Sequence, residues 1–345
     1  MLLGMSGGID SSVAAMLLQE KGYEVIGITF VFSNDVNGLQ KSQLESKKLA
    51  KRLAIKHIIA DVRKEFEQIV EDYFISEYSM GNTPFPCAVC NPKIKFKYLK
   101  YYALENNCDY ISTGHYAQIK TFNNRKYICK GVDPEKDQSF FLWGLNSEIV
   151  SKLIFPLGSY TKIAIRDYAR HNGFVTLSKK KDSLGVCFIE EKDYRNYLKK
   201  KGLNEEEGNF VNTRGKAIGR HKGIFHYTVG QRKGLGIQSN KPLFVTELCS
   251  TNNEVIVGDF RDLYKKIIYI NNYYFIDKQE VKRERTYIVK VRYRLQNTPC
   301  TITLKNNNIV KIKLLEPLAM VAKGQTAVIY DNDRVIGGGF ILAAE

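Results

Sequence analysis

The chain has 345 residues, 44% of them hydrophobic, and carries 52 lysines and arginines against 36 acids, a formal net charge of +16. Such a length supports two or three domains with real cores; no apolar run reaches membrane-spanning length and no basic segment leads into a signal-type core, so the expectation is a cytoplasmic protein without a membrane partner. The positive excess is spread along the chain, which suits a folded surface meeting a polyanion, and seven cysteines, an odd number, argue against a disulfide framework.

The first element is a short apolar strand at 1–5. Val13, Met16 and Leu17 then recur at helical spacing and Gly22 stands where that helix would stop. Ser6-Gly7-Gly8-Ile9-Asp10-Ser11-Ser12 therefore joins a strand to a helical first turn. There the backbone N–H groups lack partners, the helix dipole adds positive charge, and glycine lets an anion approach closely. For a lone SGG the plain capped turn, with Asp10 or a serine as N-cap, is the stronger reading. The lysine of the Walker-type phosphate loop is absent.

A strand at 24–32 follows, then a polar loop at 33–41, and Ser42 with Glu45 forms a capping box that opens a second helix running to Leu53. Next come a strand at 57–62, a helix at 63–79, a proline-rich loop, a helix at 94–106, and a strand at 110–113 that ends in Gly114-His115. Strand and helix alternate, which predicts an α/β fold with a parallel sheet covered on both sides; ligands in such sheets sit beyond the carboxyl ends of the strands. Helical patterns continue to Tyr197. From 209 onward the sequence alternates and turns often. A last block begins near 267, where Val289, Val291 and Tyr293 fall on one face and Lys290, Arg292 and Arg294 on the other. Segments 301–304 and 309–314 flank an asparagine turn. The tail reads as a small antiparallel β-barrel. There are no internal repeats.

Two cysteine segments stand out. Thr83-Pro84-Phe85-Pro86-Cys87-Ala88-Val89-Cys90-Asn91-Pro92 sets a CxxC among prolines, which reads as a rigid loop, and Cys187 follows a basic, glycine-containing turn. A single CxxC is a weak zinc signal, since a structural zinc takes four ligands. A thioredoxin-like pair fits the flanking residues poorly. Cys108, Cys129, Cys249 and Cys300 lie in apolar or strand-like patterns and read as small core residues. Lys93 and Lys95 near one segment, and Lys179, Lys180 and Lys181 near the other, are expected to lower the thiol pKa and enlarge the thiolate fraction.

In order and spacing, GMSGGIDSSV, TP-x-P-xxxCN-xx-IKFK, TGHY, KDQSFFL, KKKDS-x-GVCFI, YTVGQRKGLG, VRYR and GQ-x-AV-x-Y resemble the bacterial tRNA-specific 2-thiouridylase family across nearly the whole chain. The resemblance implies an α/β domain of the ATP pyrophosphatase (PP-loop) superfamily at 1–200, a β-rich tRNA-contacting domain at 201–266 and a β-barrel at 267–345. It also implies thiolation of the wobble uridine. The C2 carbonyl of uridine is urea-like, so sulfur cannot displace its oxygen until ATP adenylates it and makes AMP the leaving group. By resemblance Gly4, Met5, Ser6, Gly7, Gly8, Ile9, Asp10 and Ser11, with Phe30 and Gly114, form the nucleotide site, and Asp10 helps hold magnesium and pyrophosphate. Cys187 matches the sulfur-carrying cysteine, loaded as a persulfide by a cysteine desulfurase or sulfur relay. Cys90 matches the partner nucleophile that frees the sulfur and leaves a disulfide. His115, Lys136, Asp137, Gln138, Arg292, Tyr293 and Gln325 match tRNA-contacting positions. Taken singly, His115 reads as a satisfied histidine and Arg292 as a solvated barrel residue.

The sequence departs from that pattern at one place. The family reads Asn-Pro-Asp at a base-contacting segment where this chain has Phe85, Pro86 and Cys87. The extra thiol raises an alternative, in which Cys87, Cys90 and Cys187 hold a [4Fe-4S] cluster whose open iron binds sulfide. Other readings are an ATP-dependent amide synthetase, which would not need the two thiols, an RNA-binding protein on a relict fold, and a paralogue with a different tRNA target. A monomer is expected.

Overall fold

A computed structural model of the chain describes residues 1–32, 36–180, 185–189, 193–293, 296–305 and 308–345. Its first sheet contains β1 (Leu2–Gly4), β2 (Ile26–Val31), β3 (Lys56–Asp61) and β4 (Ile111–Thr113). A hairpin of β5 (Ala117–Phe122) and β6 (Arg125–Lys130) comes next, and β7 (Leu153–Ile154) completes the sheet. The strand order is β3-β2-β1-β4-β7 and every pairing is parallel. Alternation along β1 sends Leu2 into the core on one face and Leu3 into the core on the other, both fully buried, as a doubly covered sheet demands. The chain leaves β1 in opposite directions for β2 and β4. The segments after β1 and β4 therefore emerge side by side at the crevice where such sheets bind ligands, with Gly4 opposite Thr113.

Helix α1 (Ile9–Glu20) starts directly after the glycines and stops before Gly22, whose φ of 81° ends it. Helix α2 (Val36–Arg52) begins six residues before the expected capping box. Ser42 is thus inside the helix, and its hydroxyl donates to the Ser6 carbonyl at 2.9 Å rather than capping. Of the expected loop at 33–41, residues 33–35 lie outside the described residues. The CxxC segment is not a loop either. Pro86–Cys90 is helical, with Pro86 at the first position where its missing N–H costs nothing, and it runs through a π turn at Asn91–Lys95 into the helix Phe96–Glu105.

The central unit has β8 (Gly208–Asn212), β9 (Ala217–His221), β10 (Phe244–Cys249) and β11 (Glu254–Gly258), ordered β10-β11-β8-β9 over a core of Phe210, Val245, Val255 and Val257. The last unit has β12 (Tyr264–Phe275), β13 (Tyr287–Lys290), β14 (Thr298–Lys305), β15 (Ile309–Ala319), β16 (Thr326–Asp331) and β17 (Arg334–Ala344). All its pairings are antiparallel, and β12 pairs with both β15 and β17, closing a six-stranded barrel. The hairpin β5–β6 replaces part of the expected helical region. Its turn is Asn123-Asn124, both at positive φ, and Cys129 pairs with Arg334, so the first unit lends a hairpin to the barrel's outer wall. That docking also buries Lys290, expected on the barrel's exposed face, 3.9 Å from Asp137. Cys108, Cys129 and Cys300 are buried as expected, whereas Cys249 is half-buried with its sulfur 3.2 Å from the Thr251 hydroxyl.

Candidate active site

The loop between β1 and α1 is held from three sides. Gly7 has a φ of 70°, and a Cβ there would come within 2.8 Å of Glu45 Cβ and 3.0 Å of the Ser46 nitrogen, so only glycine fits against α2. A Cβ on Gly114 would come within 2.9 Å of the Asp10 carbonyl carbon and Ser11 nitrogen, which presses the β4 loop directly onto the first turn of α1. Gly8 is the N-cap of α1 and provides no side-chain cap. The Ser11 and Ser12 hydroxyls instead donate to the Gly8 carbonyl at 3.2 and 2.7 Å. The first-turn N–H groups are therefore left to serve an external anion. Gly4 is half-buried beneath this loop, while Met5, Ile9 and Phe30 are buried and shape its walls.

Asp10 is the charged residue of this turn. Its carboxylate accepts the Tyr116 hydroxyl at 2.7 Å and the Lys162 ammonium at 2.7 and 2.8 Å. Lys162 is only 6% exposed and lies at the first position of the helix Lys162–His171, whose cap Thr161 accepts from the Ala164 N–H at 3.2 Å. Sequence reasoning missed it because 152 positions separate it from Asp10. A signal was present: a lysine at a helix N-terminus opposes the dipole, and such a cation needs another reason to be there. Asp10 retains a solvent-facing edge, with a third of its side chain exposed. A magnesium ion fits that edge only beside the Lys162 cation.

The three segment thiols lie together. Cys87 and Cys90 occupy one face of the helix Pro86–Cys90, and Cys187 feels the charge of both. Val186, Phe188 and Ile189 pack into the same core as Cys90. All three are free thiols: Cys90 is buried, Cys87 half-buried and Cys187 exposed. Cys187 is exposed, yet enough protein surrounds it to desolvate its thiol. The expectation of lowered thiol pKa values is overturned. Removal from bulk water pushes all three up, Cys90 to about 11, and the Lys95 ammonium opposes that rise at each without cancelling it. Lys180 is instead paired with Glu45 of α2 at 2.6 Å, and Lys181 lies outside the described residues. Among the described residues no group of three or more His, Cys, Asp or Glu is arranged to hold a metal ion, so the cluster alternative finds no support in this geometry.

Lys95 also reaches His115. The half-buried ring, with Nδ1 2.6 Å from the Thr113 hydroxyl oxygen, is held well below the usual histidine pKa by desolvation first and Lys95 second, and is neutral at pH 7. Gly114 thus touches the glycine loop while the next residue shares a cation with the thiols. Phe85 continues the site toward the barrel: it stacks on Phe141 with centroids 5.5 Å apart, and Phe141 lies 4.6 Å from Tyr293. Gln325 donates to the carbonyls of Thr83 and Pro84 at 3.0 and 3.3 Å, fixing the entry to the thiol helix. Arg292 is exposed, with its guanidinium on the Ala319 carbonyl at 3.1 Å. Asp137 is buried: it accepts from the Gly131 and Ser139 N–H groups, each at 3.1 Å, which shapes the turn that carries the half-buried Lys136 and Gln138. Gln138 in turn accepts from the Tyr116 N–H at 3.0 Å. Pro86 is buried at the start of the thiol helix.

A family model described as tRNA methyl transferase HUP domain matches residues 1–191, one described as tRNA methyl transferase PRC-barrel domain matches 195–259, and one described as Aminomethyltransferase beta-barrel domain matches 265–341. A protein of Phocaeicola vulgatus named tRNA-specific 2-thiouridylase MnmA 2 is 44% identical, covering 99% of this chain and 97% of its own. One of Bacteroides fragilis named tRNA-specific 2-thiouridylase MnmA 1 is 43% identical over 100% and 97%. A third, from Clostridioides difficile and named tRNA-specific 2-thiouridylase MnmA, is 39% identical over 99% and 97%.

Proposed function

The chain belongs to the tRNA-specific 2-thiouridylase family, and on that premise we propose how its own residues convert the wobble uridine of tRNA to 2-thiouridine. It is an ATP-dependent tRNA-uridine 2-sulfurtransferase. ATP lies with its phosphates on the 6–8 loop and the first turn of α1, where N–H groups and the Lys162 ammonium neutralise the charge that pyrophosphate develops as it leaves. The exposed edge of Asp10 would hold a magnesium ion brought by ATP, which would add to that charge neutralisation. Asp10 and Tyr116 keep Lys162 aimed at the loop. The uridine C2 oxygen attacks the α-phosphorus, pyrophosphate departs, and C2 then carries AMP.

Sulfur enters as a persulfide on Cys187, whose exposure suits loading by a donor protein, a desulfurase or relay carrier. The Cys90 thiolate attacks the Cys187 sulfur of that persulfide, forming the Cys90–Cys187 disulfide and releasing hydrosulfide. The outer sulfur is reduced as the two cysteines are oxidised. Hydrosulfide adds at C2 and AMP leaves. Neutral His115 serves the base as a hydrogen-bonding group, not a cation. Phe85, Phe141 and Tyr293 offer a stacking surface, while Lys136, Gln138, Arg292 and the basic surface steer the anticodon arm.

What supports this reading most is continuity: Gly114 packs on the nucleotide turn while His115, one residue on, shares Lys95 with the thiols. Raised thiol pKa values leave Cys90 mostly protonated at pH 7, so a small thiolate fraction carries the attack on the persulfide. We assign residues 1–200 to catalysis, 201–266 and 267–345 to tRNA contact, and place the enzyme as a monomer in the cytoplasm, where tRNA and ATP are found. The test is mass spectrometry of tRNA nucleosides from a strain lacking the gene. Wild type restores wobble 2-thiouridine and Cys187→Ala does not; restoration by Cys187→Ala would refute the sulfur path.

A further inference from the structure

The thiol helix carries one sulfur more than the reaction above consumes. Cys87 and Cys90 stand three residues apart on the helix Pro86–Cys90. Helical geometry sets residues so spaced at a Cα separation of about 5 Å, inside the range of roughly 4.4–6.8 Å that a disulfide spans without backbone movement. Cys87 is half-buried and Cys90 buried, so of this pair Cys87 faces solvent more openly. Lys95, one turn beyond Cys90, favours the thiolate at both. Cys187 completes the group, near enough to feel both charges.

From this cluster, and resting on the sulfur path proposed above, we infer that Cys87 is a resolving thiol that takes over the disulfide left by each turnover. The Cys87 thiolate attacks Cys90 in the Cys90–Cys187 disulfide. A Cys87–Cys90 bond forms, the Cys90–Cys187 bond breaks, and Cys187 leaves as a thiolate that takes up a proton. The exchange is electron-neutral. A dithiol reductant then reduces the CxxC disulfide by attack at the more accessible Cys87, which restores two thiols and oxidises the reductant. Cys187 is free to receive its next sulfur while that reduction proceeds. Cys90 is the shared partner of the exchange: it neighbours Cys87 on the helix and is close enough to Cys187 to act on its charge.

The experiment is thiol mapping after one turnover. Protein loaded with persulfide is mixed anaerobically with ATP and tRNA, without reductant, quenched by rapid alkylation, and its disulfides are assigned by peptide mass spectrometry. In wild type the chains that have turned over carry a Cys87–Cys90 bond and alkylated Cys187; in Cys87→Ser they carry a Cys90–Cys187 bond. Wild-type chains that retain Cys90–Cys187 with Cys87 alkylated would overturn the exchange while leaving the sulfur path intact. Thiolated tRNA with no disulfide in either protein would overturn the sulfur path itself. Iron held by all three thiols in anaerobically purified protein would overturn both.

Discussion

The nucleotide turn and the thiol centre are neighbours built on opposite plans. The turn is assembled within one unit from adjacent strand ends, its glycines are fitted against backbone, and its one carboxylate is held by two partners at 2.7–2.8 Å. The thiol centre is assembled from a short helix, a distant segment at 185–189 and the barrel that pins the helix through Gln325. Its reactive groups are pushed toward their inert form. The proposed chemistry accounts for the difference. Stabilising a leaving pyrophosphate asks for dipoles and cations that do not reorganise, whereas a sulfur carrier must be loaded at a surface and discharged in a dry site.

Three perturbations sharpen that contrast. The largest effect belongs to the thiols: Cys90→Ser should abolish 2-thiouridine formation, a loss of at least about a thousandfold, yet leave tRNA-dependent pyrophosphate release measurable. Equal loss of both would merge the two centres into one. Next, Lys162→Ala leaves Asp10 with an uncompensated charge beside the phosphates and should lower pyrophosphate release by about a hundredfold. Persulfide loading of Cys187, read by mass spectrometry, should persist. Smallest is Lys95→Gln. A cation that favours the thiolates is removed, so their pKa values rise further and sulfur release at pH 7 should slow by about three- to tenfold. In wild type the same single-turnover rate should climb between pH 7 and 9 without levelling near the ordinary thiol value, because Cys90 titrates only near 11. A plateau near pH 8.5 would show that burial does not govern the thiol.

Much of this was readable from residues alone. Glycine spacing, alternation and the strand–helix rhythm gave the parallel sheet, the barrel and the turn beside Gly114. Motif order suggested the roles proposed here for Cys90 and Cys187, which no local pattern could. Apart from Pro86, the misses share a cause, since each depends on a partner far along the chain. Ser42 looked like a cap because its true acceptor, Ser6, is 36 residues away. Pro86 read as part of a loop although proline also opens helices. Nearby lysines promised acidic thiols, but burial is a property of the packed molecule and outweighs them. Lys290 alternates outward on β13, and only the docked first unit covers it.

The central claim is that both centres act on one carbonyl, so the decisive measurement follows that oxygen. Wobble uridine labelled with oxygen-18 at C2 is converted in a single turnover, and the AMP is weighed. One heavy oxygen in AMP, matched by one 2-thiouridine formed, is the expected result; unlabelled AMP alongside 2-thiouridine would contradict the account.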